Sequence, residues 1–201
     1  MSERAAPRSG RGRPRTEGTR DRVIAALIAL VAEQGYARTS MDEIAERAGV
    51  SKATIYRRWP SKEALMIEAH QAMLDESDVP NTGSLEGDLN ALVDRMADKM
   101  EEESLPGLMQ ASVGEMLANA DLAEAFRENV IRPRLNFMHQ VFLHAIERGE
   151  AAPDVDWRSL AFALIGSNVF RVAFLGEAPD RAANRRLVAL VAREARGEAE
   201  R

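Results

Sequence analysis

The sequence is poor in the residues that build most catalytic and metal sites: its 201 residues include no cysteine and three histidines. The absence of cysteine excludes a disulfide framework and a thiol nucleophile. His139 and His144 are five positions apart, so they do not share a helix face and lack the spacing of metal ligands. No serine lies in the Gly-x-Ser-x-Gly segment of a hydrolase nucleophile. The sequence therefore predicts no enzyme, no cofactor and no metal site.

Long hydrophobic runs are also missing. No apolar segment approaches the roughly 18–20 residues that cross a bilayer, and no cleavage-type site follows the basic N-terminus. Hydrophobic residues make up 45% and charged residues 29% of the chain, which is typical of a globular protein. Strand periodicity, internal repeats and a glycine-rich phosphate loop are absent. These absences favour an all-α protein in the cytoplasm, without a membrane partner.

Charge is distributed unevenly along the chain. Residues 1–70 hold 13 Lys/Arg against 9 Asp/Glu, a net charge of +4, whereas residues 71–201 hold 14 against 23, a net charge of −9. A basic N-terminal third in an acidic chain suggests that one end meets a polyanion and the other does not.

Residues 19–76 contain the start and stop signals of four short helices. Ser40, with Glu43 three positions on, forms a capping box for the second helix, and Gly49 ends it. Ser51 caps the third helix, which stops at a Trp-Pro pair because the residue before proline leaves helical geometry. Two short helices joined by a turn that contains glycine form a helix-turn-helix. We therefore predict a three-helix domain of this type, followed by a connecting helix.

A second domain is predicted over residues 84–201 as a helical bundle, after a linker that contains proline and glycine. Asp121 is expected to cap its long central helix, and Pro133 to kink or break that helix. Pro179 is expected in the first turn of the last helix. Residues 1–18, rich in arginine, glycine and proline, are predicted to be a disordered basic arm. The predicted fold class is therefore all-α, with an N-terminal helix-turn-helix domain and a C-terminal helical bundle.

The segment from Thr39 to Leu65, TSMDEIAERAGVSKATIYRRWPSKEAL, resembles the DNA-binding signature of the TetR (tetracycline-repressor-like) family. Gly35-Tyr36, at the end of the preceding helix, matches as well. The resemblance covers about residues 19–68, and the C-terminal part is similar only in helical content. It implies a homodimer with two helix-turn-helices spaced for a palindromic operator on double-stranded DNA. It also implies that a small-molecule effector binds the C-terminal domain and releases the DNA.

The third helix fits the recognition role, because a recognition helix presents its N-terminal residues to base edges in the major groove. Lysine can donate to guanine, and the methyl groups of alanine and threonine can meet thymine. The resemblance implies that the Tyr56 hydroxyl contacts a phosphate, and Arg58 is assigned to either backbone or base. Hydroxyl and amide groups at the start of the second helix can also bind a phosphate. The predicted contacts in this region are Thr39, Ser40, Ser51, Lys52, Ala53, Thr54, Tyr56, Arg57, Arg58 and Lys62.

Some of these residues also have simpler explanations. Lys52 and Lys62 lie in a first helical turn, where the helix dipole disfavours a cation by about 0.3–1 kcal/mol. A nearby phosphate would offset that cost, but surface lysines are also tolerated there. Ser40 serves equally well as a helix cap alone.

The basic arm carries a further DNA-binding hypothesis. Its Arg-Gly-Arg-Pro-Arg segment resembles the core of an AT-hook, whose guanidinium groups enter the narrow minor groove of A·T-rich DNA. The predicted minor-groove contacts are Arg11, Arg13 and Arg15. A non-specific basic tail that raises affinity through counterion release is the alternative. An AT-hook-bearing architectural protein with little sequence specificity is the main rival for the whole chain, and a helical ligand-binding or catalytic protein with a vestigial helix-turn-helix is another.

Methionine and phenylalanine are frequent enough in the C-terminal domain to line an adaptable pocket, although such stripes are more often plain core. Asn168 and Arg171 are polar groups in an apolar helix, and a buried arginine needs a partner. That partner is either an anionic effector or an ion pair within the bundle or the dimer interface. The predicted ligand contacts are Met96, Met100, Met109, Met116, Phe126, Phe137, Met138, Asn168, Phe170 and Arg171.

Dimer contacts are predicted on the last two helices, which combine apolar and small residues. The predicted positions are Ala163, Gly166, Val169, Leu187 and Val191.

Overall fold

The computed structural model describes residues 17–72, 78–102 and 105–197. All regular secondary-structure elements in this part of the chain are helical. The predicted all-α class is thereby confirmed. The helices are α1 (Glu17–Gln34), α2 (Met41–Ala48), α3 (Lys52–Arg58), α4 (Lys62–Ala72), α5 (Leu85–Glu102), α6 (Leu105–Ala118), α7 (Ala120–Phe126), α8 (Arg132–Glu147), α9 (Trp157–Val169) and α10 (Arg181–Ala195). Two π-helical turns, Arg127–Ile131 and Phe170–Phe174, extend α7 and α9.

Local sequence signals set the ends of α2 and α3 as predicted. The Ser40 hydroxyl accepts the Glu43 amide, and the Glu43 carboxylate accepts the Ser40 amide at 2.8 Å, which completes the capping box. Gly49 ends α2 with a φ of 64°, a left-handed conformation that glycine adopts without steric cost. Ser51 caps α3 by accepting the Thr54 amide at 3.1 Å.

The helices α1 to α4 share their core with the second half of the chain. Ile44 of α2, Ile55 of α3 and Leu65 of α4 are all 0% exposed and belong to one apolar cluster. The same cluster contains Leu108 of α6 and Leu122 of α7. Because α6 packs directly against α1, the helix-turn-helix is joined to the second half by buried apolar surface as well as by the chain itself.

A second core lies between α5, α8, α9 and α10. The start of α5 is fixed to the end of α8 by polar contacts around Asp88, which is 0% exposed. Its carboxylate accepts the Thr82 amide at 2.6 Å and the Arg148 guanidinium at 2.9 Å. A buried carboxylate is tolerated only when it is paired in this way.

Pro133 does not break the long helix, contrary to one predicted outcome. The helix α7, its π-helical turn and α8 run on without interruption, with Pro133 in the first turn of α8. Proline has no N–H to give to the carbonyl four residues earlier, which is that of Asn129. The Gln71 side chain of α4 donates to this carbonyl at 2.9 Å instead. The proline therefore leaves a polar attachment point for α4.

Two helix starts differ from the prediction. The cap of α7 is Asn119, whose side chain accepts the Leu122 amide, and Asp121 lies inside the helix. The cap of α10 is Asp180, so Pro179 stays outside the first turn. In each case the capping residue has an extended backbone, and its side chain accepts the amide of the residue three positions later.

Among the described residues, no helix has both the length and the apolar character needed to cross a bilayer. No three His, Cys, Asp or Glu side chains of this part lie together as a metal site would require.

His70 of α4 lies at the junction of the two halves and is 2% exposed. Its Nε2 is 2.7 Å from the Ser112 hydroxyl, which gives its single proton to the Leu108 carbonyl, so His70 donates from Nε2. Phe126 packs edge-on against the imidazole, with ring centroids 4.9 Å apart. Burial, together with the positive charge of Arg134, lowers the pKa of His70 to about 3. The folded protein therefore holds a neutral imidazole at pH 7.

We expect the protein to lose stability as the pH falls below 6.5, the ordinary pKa of histidine, because the unfolded chain protonates His70 while the folded chain does not. The slope contributed by this group is at most about 1.4 kcal/mol per pH unit. Urea unfolding between pH 6.5 and about 4.5, above the range of most carboxylates, measures it. His70→Gln should flatten the slope, whereas Leu117→Ala, which removes an exposed apolar side chain and no titratable group, should not. An unchanged slope in His70→Gln would contradict the assignment.

Candidate DNA-binding surface and ligand cavity

The helix α3 buries one side and presents the other to solvent. Ile55 is 0% exposed and anchors the helix in the core, whereas the Tyr56 side chain next to it is 47% exposed. Thr54 is half-buried. The solvent-facing residues of α3 are Lys52, Ala53, Tyr56, Arg57 and Arg58.

Lys52, at the leading end of α3, forms an ion pair with Asp42 of α2, with 2.6 Å between Nζ and the carboxylate. The hydrogen bond to Asp42 and the charge of that carboxylate raise the pKa of Lys52. The side chain remains 69% exposed. The ammonium group is thus charged and accessible at the position from which a recognition helix meets base edges.

Glu68 of α4 binds three side chains of the helix-turn-helix domain. Its carboxylate accepts Nε of Arg20 at 2.6 Å, Nε1 of Trp59 at 2.5 Å and Nη2 of Arg58 at 3.0 Å. Partial burial alone would raise the pKa of Glu68, but the hydrogen bonds from Arg20 and Trp59 and the charge of Arg58 bring it below its ordinary value. One ionised carboxylate therefore ties α1 and the end of α3 to α4.

Lys62 makes contacts within the protein that the sequence did not predict. Its Nζ donates to the Tyr36 carbonyl at 2.6 Å and to the Thr39 carbonyl at 2.7 Å, and it lies 4.0 Å from the centre of the Tyr36 ring. Lys62 thus fastens the start of α4 to the loop before α2. The sequence did not indicate this role because the partner carbonyls lie 26 and 23 positions away. Its ammonium group has a third proton, so the phosphate contact stays a prediction.

Thr39 and Ser40 are also used inside the protein. Thr39 is 3% exposed, its hydroxyl donates to the Gly35 carbonyl at 2.9 Å and its amide to the Tyr36 carbonyl at 3.1 Å. Both donors of Thr39 are thus used within the protein, and its phosphate contact stays a prediction. Ser40 is exposed, but its hydroxyl and amide protons both go to Glu43, which favours capping alone. Ser51, the cap of α3, is exposed and stays a predicted contact.

The three arginines of the basic arm, Arg11, Arg13 and Arg15, lie outside the described residues. Their contact with DNA stays a prediction.

A cavity of about 140 Å³ lies between α5, α6, α8 and α9. Half of the predicted ligand contacts line it, and these are Met96, Met100, Met109, Phe137 and Met138. Its wall also contains apolar residues that the sequence analysis did not single out: Leu89, Leu92, Val93, Leu105, Leu164, Ile165 and Val169. Three cations, Arg95, Lys99 and Arg134, complete the wall.

These cations were not predicted as cavity residues, because charged residues beside an apolar stripe are usually solvated. Arg95 and Lys99 are one helical turn apart on α5, and Arg134 lies on α8. Only the packing of α8 against α5 shows that the three side chains share one cavity. In the sequence, only the four-residue spacing of Arg95 and Lys99, beside the methionines of α5, indicated that these two cations share one side of the helix.

The other predicted ligand contacts do not line the cavity. Met116 is half-buried outside this wall, and Phe126 packs against His70. Asn168 is 2% exposed and donates to the Leu164 carbonyl at 3.0 Å, while Phe170 is 56% exposed. Arg171 is not a buried cation but forms a partly exposed ion pair with Glu177 at 2.5 Å, which supports the bundle alternative over the anionic effector.

An exposed apolar face lies on α9, its π-helical turn and α10. Five of the eight exposed large hydrophobic side chains of the described residues fall between positions 162 and 190, and they are Phe162, Phe170, Phe174, Leu175 and Leu190. Ala163 and Gly166, predicted dimer contacts, are exposed among them. The phenylalanines of this face were not predicted as dimer contacts, because phenylalanine in a helical stripe is typical of a core or a pocket.

Two predicted dimer contacts point inward. Val169 lines the cavity, and Val191 is 3% exposed in the core with Val188. Burial of Val191 contradicts its predicted dimer contact, because a helix that is apolar on several sides does not reveal which side a neighbour covers. Val169 is half-buried, and its dimer contact stays a prediction. Leu187 is half-buried and packs against the same core.

Comparisons with known proteins cover most of the chain. The family model described as bacterial regulatory proteins, tetR family, matches residues 23–69. The model described as tetracyclin repressor-like, C-terminal domain, matches residues 79–191. The first match contains α2, α3 and most of α1 and α4, and the second contains the cavity.

Similar sequences are named as helix-turn-helix regulators. The uncharacterized HTH-type transcriptional regulator YdeS of Bacillus subtilis is 30% identical over 170 residues, which cover 84% of this chain and 85% of that protein. The DNA-binding transcriptional repressor TetR of Mycobacteroides abscessus is 34% identical over 140 residues, which cover 67% of this chain and 71% of that protein.

Similar solved structures extend over almost the whole chain. The TetR family transcription regulator SCO0332 has a TM-score of 0.69 at 30% identity and covers 87% of this chain and 96% of its own. The regulator FadR from Bacillus subtilis, solved in complex with stearoyl-CoA, has a TM-score of 0.69 at 21% identity, covering 86% and 97%. At that identity the likeness to FadR shows the fold alone.

We expect Glu68→Gln to lower the free energy of unfolding by about 1–3 kcal/mol, because a neutral amide leaves the Arg20 guanidinium and the Trp59 N–H with a weaker acceptor. Urea denaturation followed by tryptophan fluorescence measures this loss. Glu33→Gln is a matched control, since Glu33 forms an exposed ion pair with Arg47 and its loss should cost less than about 0.5 kcal/mol. Equal losses in the two variants would contradict the role assigned to Glu68.

Proposed function

The chain belongs to the TetR family of bacterial transcriptional regulators, and from this premise we propose that it is a dimeric repressor, released from a palindromic operator by a small-molecule effector. We place it in the cytoplasm, where its DNA partner lies, and infer that it acts as a regulator rather than as an enzyme. We retain residues 19–76 as the DNA-binding unit and 84–201 as the effector and dimer unit.

One observation carries the DNA-binding part of the proposal. The leading residues of α3 are exposed as a group, while Glu68 and Lys62 of α4 hold the helix-turn-helix from behind. A recognition helix needs both features, an accessible leading end and a fixed orientation. The match of residues 23–69 to the tetR family model supports the same assignment.

The contacts divide into those that select sequence and those that position the protein. We assign Lys52, Ala53 and Thr54 to base edges, because lysine donates to guanine and the methyl groups meet thymine. We assign Tyr56 and Arg57 to phosphates. Phosphate contacts strengthen binding to every sequence, whereas base contacts discriminate between sequences.

The exposed apolar face of α9 and α10 supports a homodimer. Phe162, Gly166, Phe170 and Phe174 recur at every fourth position, so they lie on one side of the helix and its π-helical extension. Leu190 of α10 is 51% exposed. A two-fold dimer would bury this face and place two α3 helices on half-sites whose centres are about 34–36 Å, or a multiple of that distance, apart.

Release requires the effector to bind the DNA-incompetent arrangement more tightly than the DNA-bound one, since equal affinity for both shifts nothing. We propose the cavity between α5, α6, α8 and α9 as the effector site. Nothing in the comparisons supports the alternative of an AT-hook-bearing architectural protein. Minor-groove contact by residues 11–15 is kept as an addition to operator binding.

Selection of bound fragments from a random DNA pool tests the function. We expect enrichment of one palindromic sequence, with both halves needed for full affinity. Enrichment of A·T-rich DNA without a palindrome would favour the architectural alternative, and the absence of any enrichment would refute the repressor proposal.

On the selected operator, Lys52→Ala should change base preference at one position per half-site, by about 1–3 kcal/mol. Tyr56→Phe should instead weaken binding to every sequence alike. Fluorescence anisotropy on single-base operator variants measures both effects. Arg132→Ala is the control, because Arg132 is an exposed cation on α8 paired with Glu128. A uniform loss across all operator variants in Lys52→Ala would count against its base contact.

Phe170→Glu should convert the dimer to a monomer and cost most of the operator affinity, because it places a charge in the apolar face. Sedimentation equilibrium measures the change in mass. Leu117→Glu is the matched control, since Leu117 is 83% exposed on α6, outside this face. A dimer that survives Phe170→Glu unchanged would move the interface elsewhere.

A further inference from the structure

The cavity between α5, α6, α8 and α9 has an apolar interior and a cationic rim. Leu89, Met138 and Leu164 are buried in its interior. Lys99 and Arg134 are half-buried and Arg95 is exposed, so the three charges lie toward its opening. No carboxylate belongs to the cavity wall in the part of the chain that the structure describes.

Two of the three rim cations, Arg95 and Lys99 of α5, have no carboxylate partner among the described residues. Lys99 forms no ion pair with any described residue. Within the same part of the chain, the Arg95 guanidinium donates to the Asp78 carbonyl at 3.5 Å and to the Ala91 carbonyl at 3.4 Å. Other arginines of the second half are placed differently: Arg185, for example, lies 2.9 Å from Asp94. Cations beside an apolar cavity without carboxylates favour an anion over a neutral or positive ligand.

The size of the cavity limits the apolar part of a ligand. Its volume is about 140 Å³. An apolar cavity of about 150 Å³ holds a benzene molecule. A single aromatic ring or a short branched chain therefore fills the interior, with a few bonds left to reach the rim. Methionine side chains on several sides can adjust to the shape of such a group.

We propose that the effector is an organic anion with a compact apolar body and one carboxylate, which is received by Arg95, Lys99 and Arg134. This inference rests on the proposed function, because it names the chemical class of ligand for the same cavity.

Arg134 also connects the cavity to the DNA-binding half. Its Nη2 donates to the backbone carbonyl of His70 on α4 at 3.3 Å. A carboxylate that binds the planar guanidinium through two parallel hydrogen bonds reorients it and competes with this carbonyl. The same α4 carries Lys62 and Glu68, which orient the helix-turn-helix. Binding of the anion thus loosens α4 at the point where it meets α8.

A series with one apolar body and three charges tests the ligand class. Phenylbutanoate, phenylbutanamide and phenylbutylamine share the same ring and chain but carry a negative charge, none and a positive charge. We expect the full chain to bind the carboxylate at least about tenfold more tightly than the amide, measured by isothermal titration calorimetry. The amine should bind more weakly still. An amide or amine that binds as tightly as the carboxylate would overturn the proposal.

Variants of the rim test the receiving residues. Arg134→Gln and Lys99→Gln should each bring the carboxylate and amide affinities closer together, whereas Arg132→Gln, which removes an exposed cation outside the cavity, should not. Circular dichroism identifies any variant that does not fold. If Arg134→Gln is such a variant, Lys99→Gln decides the ligand class. A full carboxylate preference in a folded Lys99→Gln and a folded Arg134→Gln would overturn the assignment.

The link to α4 has its own readout, the extent of operator release at saturating phenylbutanoate. Lys99→Gln should need more ligand but reach the same release. Arg134→Lys keeps the charge but not the planar fork, so it should bind the ligand and release less DNA. Equal release in the wild type and Arg134→Lys would overturn the coupling role.

The two proposals fail in different ways. If no operator is enriched from random DNA, the proposed function fails. If an operator is bound and phenylbutanamide releases it as well as phenylbutanoate does, only this inference fails.

Discussion

The orientation of α3 depends on one carboxylate, that of Glu68. A helix of seven residues is too short to be stable by itself, so its direction has to come from its neighbours. Ile55 supplies an apolar anchor but leaves rotation about that anchor open. Hydrogen bonds from Trp59 and Arg58 to Glu68 remove this freedom at the far end of α3, and the bond from Arg20 ties the same carboxylate to α1. The exposed leading residues, which we assign to the operator, are therefore held as a rigid set.

The helix α4 serves both halves of the molecule within 11 residues. Lys62 and Glu68 hold the helix-turn-helix, whereas His70 and Gln71 meet α6, the π-helical turn and α8. The Gln71 contact exists because Pro133 leaves a carbonyl of the long helix without its usual donor. A displacement of the end of α4 thus changes the support of α3 without any ligand touching the DNA-binding surface.

Local features of the sequence predicted local features of the fold. Ser40 and Gly49 set the ends of α2 as expected, because their effects depend on backbone groups within a few positions. The role of Lys62 was not predictable in this way, since its carbonyl partners are distant in the chain. The same holds for the cavity, where Arg95 and Arg134 come from helices that only the tertiary fold brings together. The family resemblance supplied the function, while the cationic rim of the cavity required the structure.

The hydrogen bond from Arg134 to the His70 carbonyl has a free energy comparable to the coupling that we propose between anion binding and operator release. A hydrogen bond that involves a charged group contributes about 1.5–3 kcal/mol, and allosteric coupling free energies are about 1–3 kcal/mol, or about 5–150-fold in affinity. Loss of the bond from Arg134 to the His70 carbonyl is therefore of the size that such coupling requires, without unfolding of α4. Because coupling is reciprocal, operator DNA must weaken anion binding by the same factor by which the anion weakens operator binding. A bulky neutral ligand lacks this route and would have to displace α4 by packing alone.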